Sequence, residues 1–138
     1  MSEIEYSEKK EDIDIKKLTI LCKAVGWDRN IKKWNKILAR SSFVCSAWDN
    51  DKMVGFARIL EDGTMCMFYD VCVLPEYQRK GIGKKIMQKL IDKVKDKGYV
   101  SIGLFAWEEN PNNFFFYEKL GFEKVDTGME LVKYIVRE

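Results

Sequence analysis

The chain has 138 residues and a mass of 16.2 kDa, the size of one ordinary domain, and 46% of its residues are hydrophobic. Its 24 basic and 22 acidic residues leave a net charge of +2, which excludes the strong overall positive field typical of nucleic-acid-binding proteins. We therefore expect one packed domain over residues 1–138, no nucleic-acid partner, and any basic site confined to a local segment.

The chain has no histidine, and its four cysteines lack the spacing of a zinc site. The absence of histidine removes every Ser–His and Cys–His nucleophile pair. We expect four buried, reduced thiols and no metal.

Residues 1–14, MSEIEYSEKKEDID, lack the apolar segment of a signal peptide, and no run of about 18 apolar residues follows them. The sequence therefore predicts a cytoplasmic protein with no membrane partner.

Two short helices and an antiparallel hairpin are predicted in the first part of the chain. Apolar residues keep helical spacing from Ile15 to Val25 and stop at Gly26, and the same spacing resumes after Asn30, a residue that can cap a helix. The apolar runs FVCSAW and MVGFARIL follow, and the polar residues 49–52 between them indicate a turn. A third strand, TMCMFYDVCVL, comes next.

The second part of the chain predicts a parallel junction. Apolar residues from Ile82 to Val94 line one face of a helix that ends before Gly98. The following strand, YVSIGLFAW, should run parallel to TMCMFYDVCVL, because a strand, a helix and a strand of this length make a right-handed crossover. A helix over residues 112–120 and two final strands, FEKVD and ELVKYIVRE, complete the predicted α/β fold. Ligands of such sheets favour the carboxyl ends of the parallel strands, here residues 74–84 and 106–112.

The segment YQRKGIGKK, residues 77–85, carries four positive charges and two glycines at the start of the long helix. A helix start has unpaired N–H groups and about half a positive charge, which suit a phosphate, and glycine lets a ligand approach the backbone. A P-loop would need Gly at position 78 and Ser or Thr at 85, and a dinucleotide fingerprint would need Gly at 86. The residues there are Gln78, Lys85 and Ile86. Both templates fail, which leaves another kind of anion site or a structural turn.

The same segment resembles the pyrophosphate loop of the GNAT superfamily of N-acetyltransferases, whose signature is Gln or Arg, two residues, Gly, one residue, then Gly or Ala. Residues 78–83, QRKGIG, match it in register. The preceding YDVCVLPEYQ resembles the family's fourth strand, and NPNNFFFYEKLGF resembles its Asn…Phe-Tyr…Gly-Phe element, with Asn113 where a small residue is commoner. The resemblance covers nearly all of the chain. It implies a mixed, mostly antiparallel sheet of six to seven strands, with a parallel strand–helix–strand junction, splayed strands and helices on both faces.

The resemblance further implies that acetyl-CoA is the co-substrate. Its pyrophosphate would lie on the backbone amides of the loop and its pantetheine arm beside the fourth strand, where backbone N–H groups would polarise the thioester carbonyl. Asn110 would bind the arm, the alternative being a cap of the following helix. The expected cofactor-binding residues are Val71, Cys72, Val73, Gln78, Arg79, Lys80, Gly81, Ile82, Gly83, Lys84, Asn110 and Tyr117.

An amine would attack the thioester directly, and the departing thiolate would take a proton from a general acid. Tyr117 occupies the family's place for that acid, the alternative being simple packing on neighbouring phenylalanines. Without histidine the base must be a carboxylate, a tyrosine or water. Asp70 is preferred over Glu108 and Glu109, the alternative being a structural hydrogen bond in the sheet. An acetyl-Cys72 intermediate lacks an evident neighbour to generate its thiolate.

The acceptor is expected to be the primary amine of a small molecule. The resemblance implies that the early helices and the hairpin after them shape its pocket, which brings four tryptophans into consideration. They suit either an organic cation or an ordinary core. They are Trp27, Trp34, Trp48 and Trp107. A protein or peptide amine and a catalytically idle CoA-binding sensor are the alternatives. The last two predicted strands could complete the sheet within one chain or pair across a homodimer.

Overall fold

The computed structural model describes residues 3–106, 111–125 and 128–135. The chain separates into two compact units, Met1–Phe105 and Ala106–Glu138. The first unit contains, in order, β1 (Glu5–Ser7), α1 (Ile15–Ala24), α2 (Ile31–Arg40), β2 (Phe43–Asp49), β3 (Lys52–Glu61), β4 (Met65–Val73), α3 (Ile82–Val94) and β5 (Ser101–Gly103). The second contains α4 (Pro111–Glu118) and a short 3-10 turn, Val132–Tyr134.

The strands form one five-stranded sheet in the order β1-β2-β3-β4-β5. The strands from β1 to β4 pair antiparallel, whereas β5 pairs parallel to β4. Because α3 connects β4 to β5, the predicted parallel strand–helix–strand junction is confirmed. No helix in the described part of the chain is both long and apolar enough to cross a membrane.

The expectation of six to seven strands is wrong, because the sheet has five strands in the residues that the structure describes. FEKVD and ELVKYIVRE form no strand in their described residues, where Val125 is 91% and Leu131 72% exposed. Apolar side chains that remain in solvent cannot supply the packing that stabilises a strand. The sequence also missed β1, which is three residues long and has no apolar alternation. Its pairing with β2, with Tyr6 opposite Ala47, defines it instead.

Helices cover both faces of the sheet, as expected. Neighbouring residues of a strand point to opposite faces. Phe56 of β3 packs edge-to-face on Trp34 of α2, with ring centroids 6.0 Å apart. The adjacent Gly55 faces α3, since a Cβ built on it would lie 2.8 Å from Cδ1 of Ile86. Thus α2 and α3 lie on opposite sides of β3.

The hydrophobic core lies within the first unit. Side-chain oxygens of Asp14 and Asn30 cap α1 and α2 by accepting backbone N–H bonds, which fixes where these helices begin. The apolar face of α3 is buried at Ile82, Ile86, Met87, Leu90 and Val94. Among the described residues, every buried hydrophobic side chain lies between Ile13 and Val94.

The pairing between the two parallel strands is short. β5 contacts β4 only from Met65 to Met67, whereas β4 continues to Val73. No other strand of the described chain lies on that side of β4. The backbone of this part of the β4 edge can therefore accept an extended ligand as a further strand, and the expected splay stays a prediction.

Candidate functional site

The start of α3 is the first part of the candidate site. Gly81 is the N-cap residue and adopts φ 84°, and Arg79 adopts φ 64°, both in the left-handed region. The first helical bond beyond the cap joins Lys85 N–H to Gly81 O at 3.1 Å, so the N–H groups before it have no partner inside the helix. No side chain caps α3, in contrast to α1 and α2. Such an uncapped start is well suited to bind an anion.

Side chains around this loop hold it in place. The Gln78 side chain donates from Nε2 to the Val73 carbonyl at 2.9 Å, and Ile82 is buried to 2% exposure. Tyr77 donates its hydroxyl to Asp49 Oδ2 at 2.5 Å, which raises the pKa of Tyr77 above its usual value. By contrast, Arg79 and the lysines that flank Gly81 and Gly83, Lys80 and Lys84, are exposed. The loop thus presents its backbone and its charges to solvent.

A β-bulge in β4 is the second part of the site. Phe56 lies opposite Cys72 and Arg58 opposite Tyr69, so a two-residue step on β3 faces a three-residue step on β4. The extra residue belongs to a segment in which Asp70 has φ 57°. Bulges of this kind bend a strand and re-aim its backbone groups. This one lies beyond the pairing with β5, where Val71, Cys72 and Val73 are expected to bind the thioester.

Two arginines bind the carboxylate of Asp70. Arg58 of β3 donates from Nε to Oδ2 at 2.6 Å, and Arg29, from the loop between α1 and α2, lies with NH2 2.6 Å from Oδ1. The Asp70 side chain is only 4% exposed. Since both of its oxygens contact guanidinium groups, this arrangement favours the structural alternative over proton abstraction. The role of Asp70 as a base stays a prediction.

The predicted aromatic pocket for an organic cation finds little support. The guanidinium carbon of Arg29 lies 5.7 Å from the ring centroid of Trp27 and 5.4 Å from that of Trp34. Trp34 is fully buried, and the ammonium of Lys17 lies 5.5 Å from the ring of Trp48. The protein's own cations therefore face three of the four rings. Trp107 lies outside the described residues.

All four cysteines are buried free thiols, as predicted. Cys22 of α1 and Cys72 of β4 share a hydrogen bond, which raises the pKa of Cys72 together with burial and lowers the pKa of Cys22. A raised pKa keeps the Cys72 thiol protonated, and this disfavours a covalent acetyl-Cys72. The described residues hold no cluster of three or more metal-binding side chains.

The predicted acid, Tyr117, lies in α4 within the second unit. Its half-buried ring makes edge-to-face contacts with Phe116 and Phe122, with centroids 5.0 and 5.9 Å away. These contacts agree with the packing alternative and fix the ring, and the role of the hydroxyl as the acid stays a prediction. Asn110, Glu108 and Glu109 lie outside the described residues, and their roles stay predictions.

Sequence reasoning missed Arg29 and Arg58. A signal for Arg58 was present, because MVGFARIL places one charge in an otherwise apolar strand, and YDVCV on the next strand contains one opposite charge. Charges in half-buried strands need partners. Arg29 gave no such signal, since it lies in a polar loop whose position depends on the packing of α1 and α2.

The comparisons with known proteins agree with this geometry. The model of the Acetyltransferase (GNAT) family matches residues 13–122. The "uncharacterized N-acetyltransferase ycf52" of Pyropia yezoensis is 35% identical over 131 residues, which cover 91% of this chain and 74% of that protein. The ribosomal protein bS18-alanine N-acetyltransferase of Haemophilus influenzae is 37% identical over 81 residues, 56% of this chain and 53% of that protein. A solved GNAT family acetyltransferase from Streptococcus pneumoniae superposes with a TM-score of 0.81 at 32% identity, covering 99% of this chain and 100% of that one. With its parallel β4-α3-β5 junction and these relatives, the chain belongs to the GNAT acetyltransferase family.

Proposed function

We propose that this protein transfers the acetyl group of acetyl-CoA to a primary amine, by direct attack in a ternary complex. The observation that carries the proposal is the uncapped start of α3 beside the bulged, open edge of β4. A helix start binds phosphate groups, and an open strand edge binds an extended chain that carries amides. Acetyl-CoA contains phosphate groups in one part of the molecule and an extended, amide-bearing pantetheine chain in another.

In this proposal the pyrophosphate binds the backbone amides of residues 79–84, and the pantetheine arm follows β4 from Val71 to Val73. The backbone N–H groups near Cys72 and Val73 polarise the thioester carbonyl. The amine nitrogen attacks the carbonyl carbon, the C–S bond breaks, and the CoA thiolate takes a proton from the Tyr117 hydroxyl. The nitrogen gives up a proton to a base, for which Asp70 or water is the candidate, and the Tyr117 phenolate regains a proton from solvent. Asn110 binds the arm.

The acceptor is proposed to be a small-molecule amine. The bS18-alanine N-acetyltransferase among the relatives supports a protein α-amine as the alternative. An idle CoA-binding module would share the loop but release no thiol. The cytoplasmic location, the single domain over residues 1–138 and the homodimer stay predictions.

Thermal shift measurements test the binding site, with Gly81→Ala and Gly98→Ala as matched variants. Both glycines have positive φ, 84° and 75°, and neither has an atom within 4 Å of a built Cβ. Each substitution should therefore cost about 1 kcal/mol of stability through backbone strain. Acetyl-CoA should raise the Tm of the wild type and of Gly98→Ala by several degrees, and that of Gly81→Ala much less. ATP and NAD should give no shift. A shift equally large in both variants would contradict the loop assignment.

A thiol-release assay over a panel of amines, amino acids, aminoglycosides and peptides tests the transfer. We expect release with at least one amine and, for Tyr117→Phe, a loss of at least about 100-fold in kcat. Acetyl-CoA should still shift the Tm of this variant. Unchanged turnover at every pH would show that Tyr117 is not the acid. No release with any amine would favour the idle module.

A further inference from the structure

The cluster of Arg29, Asp70 and Arg58 has an excess of positive charge. Two guanidinium groups face one carboxylate, and within the described residues neither arginine has a second carboxylate partner. The Arg58 side chain is 13% exposed, whereas the Arg29 side chain is 35% exposed. The excess charge is therefore open to a ligand mainly through Arg29.

Arg29 is also held in a fixed position. Its NH2 group lies 2.6 Å from the Asp70 carboxylate, and its guanidinium lies over the rings of Trp27 and Trp34. A guanidinium has five N–H donors in a rigid fork, so the contact with one oxygen of Asp70 leaves donors for a second anion. A pre-positioned guanidinium binds carboxylate or phosphate with little loss of side-chain entropy.

The position of Arg29 relates this charge to the reaction. Asp70 precedes Cys72 by two residues on β4, and a strand rises about 3.3 Å per residue. The guanidinium that contacts Asp70 is therefore within about 10 Å of the backbone expected to bind the thioester. An acceptor whose amine reached the thioester could contact Arg29 with an anionic group within about 10 Å of that amine.

We propose that Arg29 determines acceptor specificity by binding a carboxylate or phosphate located close to the reacting amine. The inference rests on the proposed function and deepens it, since it names the acceptor as an anion-bearing primary amine. The same guanidinium repels polyamines and other acceptors with a second cationic group. It also lies over the two tryptophan faces that an organic cation would otherwise use.

Matched pairs of acceptors that differ only in the anionic group test this inference. Tyrosine is compared with tyramine, O-phosphoethanolamine with ethanolamine, and a peptide beginning Ala-Asp with one beginning Ala-Asn. The wild type should prefer the anionic member of at least one pair by about tenfold or more in kcat/KM, the effect of one hydrogen bond to a charged group. The pair that shows the preference identifies the anionic group that Arg29 binds. The tyrosine pair reports on a free carboxylate, the phosphoethanolamine pair on a phosphate, and the peptide pair on a peptide side chain.

Three variants locate the preference. Arg29→Met should reduce it to near unity, Arg29→Lys should retain part of it, and Arg40→Met should leave it unchanged. Arg40 is exposed at the end of α2, so its substitution removes the same charge at a different place. A thermal shift with acetyl-CoA in Arg29→Met controls for loss of the fold.

The outcomes separate this inference from the proposed function. Equal turnover of both members of every pair, or a preference that survives Arg29→Met, would overturn the role of Arg29 and leave the transferase intact. Failure to acetylate any amine would contradict the proposed function and, with it, the inference. A preference that Arg29→Met abolishes and Arg40→Met preserves would support both.

Discussion

Arg58 and Asp70 show how a single charged residue gains its role from its partners. Asp70 was identified from the sequence as a carboxylate beside the expected thioester site. Its two arginines, one on the next strand and one in a loop far earlier in the chain, bind both of its oxygens. An isolated carboxylate can serve as a base, whereas one held by two cations in a β-bulge is better suited to position the strand, and the role of Asp70 as a base stays a prediction. The position could be predicted from sequence, but the role depended on contacts between distant segments.

Cys45 provides a prediction about alkaline stability. Burial and the nearby Glu8 raise the pKa of its thiol from about 9 to about 12. The folded state thus keeps a proton that the unfolded chain loses, so the stability from this thiol is full below about pH 9 and is lost as the pH rises toward 12. Cys45→Ala should therefore flatten the fall in the free energy of unfolding between pH 9 and 11, by about 2 kcal/mol at pH 11. Urea unfolding with a reductant present measures it.

Val44→Ala is the control for this effect. Val44 is the buried neighbour of Cys45 on β2 and carries no titratable group. Its truncation should lower the free energy of unfolding by a similar amount at every pH and leave the slope unchanged. Parallel pH curves for the wild type and Cys45→Ala would show that Cys45 does not contribute to the alkaline limb.

Among the elements, α3 was the easiest to predict and the strands at the two ends of the chain the hardest. The apolar positions of α3 repeat with helical spacing over 13 residues, and Gly81 and Gly98 flank it. β1 has three residues and no such pattern, and it exists because β2 offers a partner edge. The final segments carried strand-forming residues without a partner strand in the described part of the chain. A helix such as α3 can be predicted from the periodicity of its local sequence, whereas strand pairing depends on tertiary structure.

The contact between β3 and α3 gives a prediction at this scale. A Cβ on Gly55 would lie 2.8 Å from Cδ1 of Ile86, closer than packed carbon atoms allow. Gly55→Ala should therefore cost about 1 to 3 kcal/mol of unfolding free energy through overpacking. Ile86→Val removes that Cδ1 atom and should cost about 1 kcal/mol by itself. In the double variant the new methyl group fills the space that the lost atom leaves.

Urea unfolding of the four proteins in this cycle measures the coupling. The double variant should be more stable than the sum of the single effects predicts, by about 1 kcal/mol. Additive effects would mean that Ile86 moves aside freely and that α3 is not in tight contact with β3 at this point.

At the scale of the whole molecule, the proposed roles divide between the two compact units. The loop at the start of α3, the β4 bulge and Arg29 belong to residues 1–105, whereas Asn110 and Tyr117 belong to residues 106–138. The sequence predicted both sets from motifs, because each motif is local. It could not predict the arginine pair or the number of strands found in the described residues, because both depend on how separate segments pack.

This division predicts that acetyl-CoA binding and acetyl transfer can be separated. A fragment of residues 1–105 retains every buried hydrophobic side chain found in the described chain, from Ile13 to Val94, and should unfold cooperatively. It keeps the loop and the β4 edge, so acetyl-CoA should still raise its Tm, although less than for the full chain because Asn110 is absent. It lacks Tyr117, so thiol release should fall by at least about 100-fold. Full-length Tyr117→Phe is the matched control and should lose turnover while it keeps a larger thermal shift than the fragment. Turnover by the fragment at the rate of the full chain would remove Tyr117 from the mechanism, and a folded fragment without a thermal shift would remove residues 79–84 from the cofactor site.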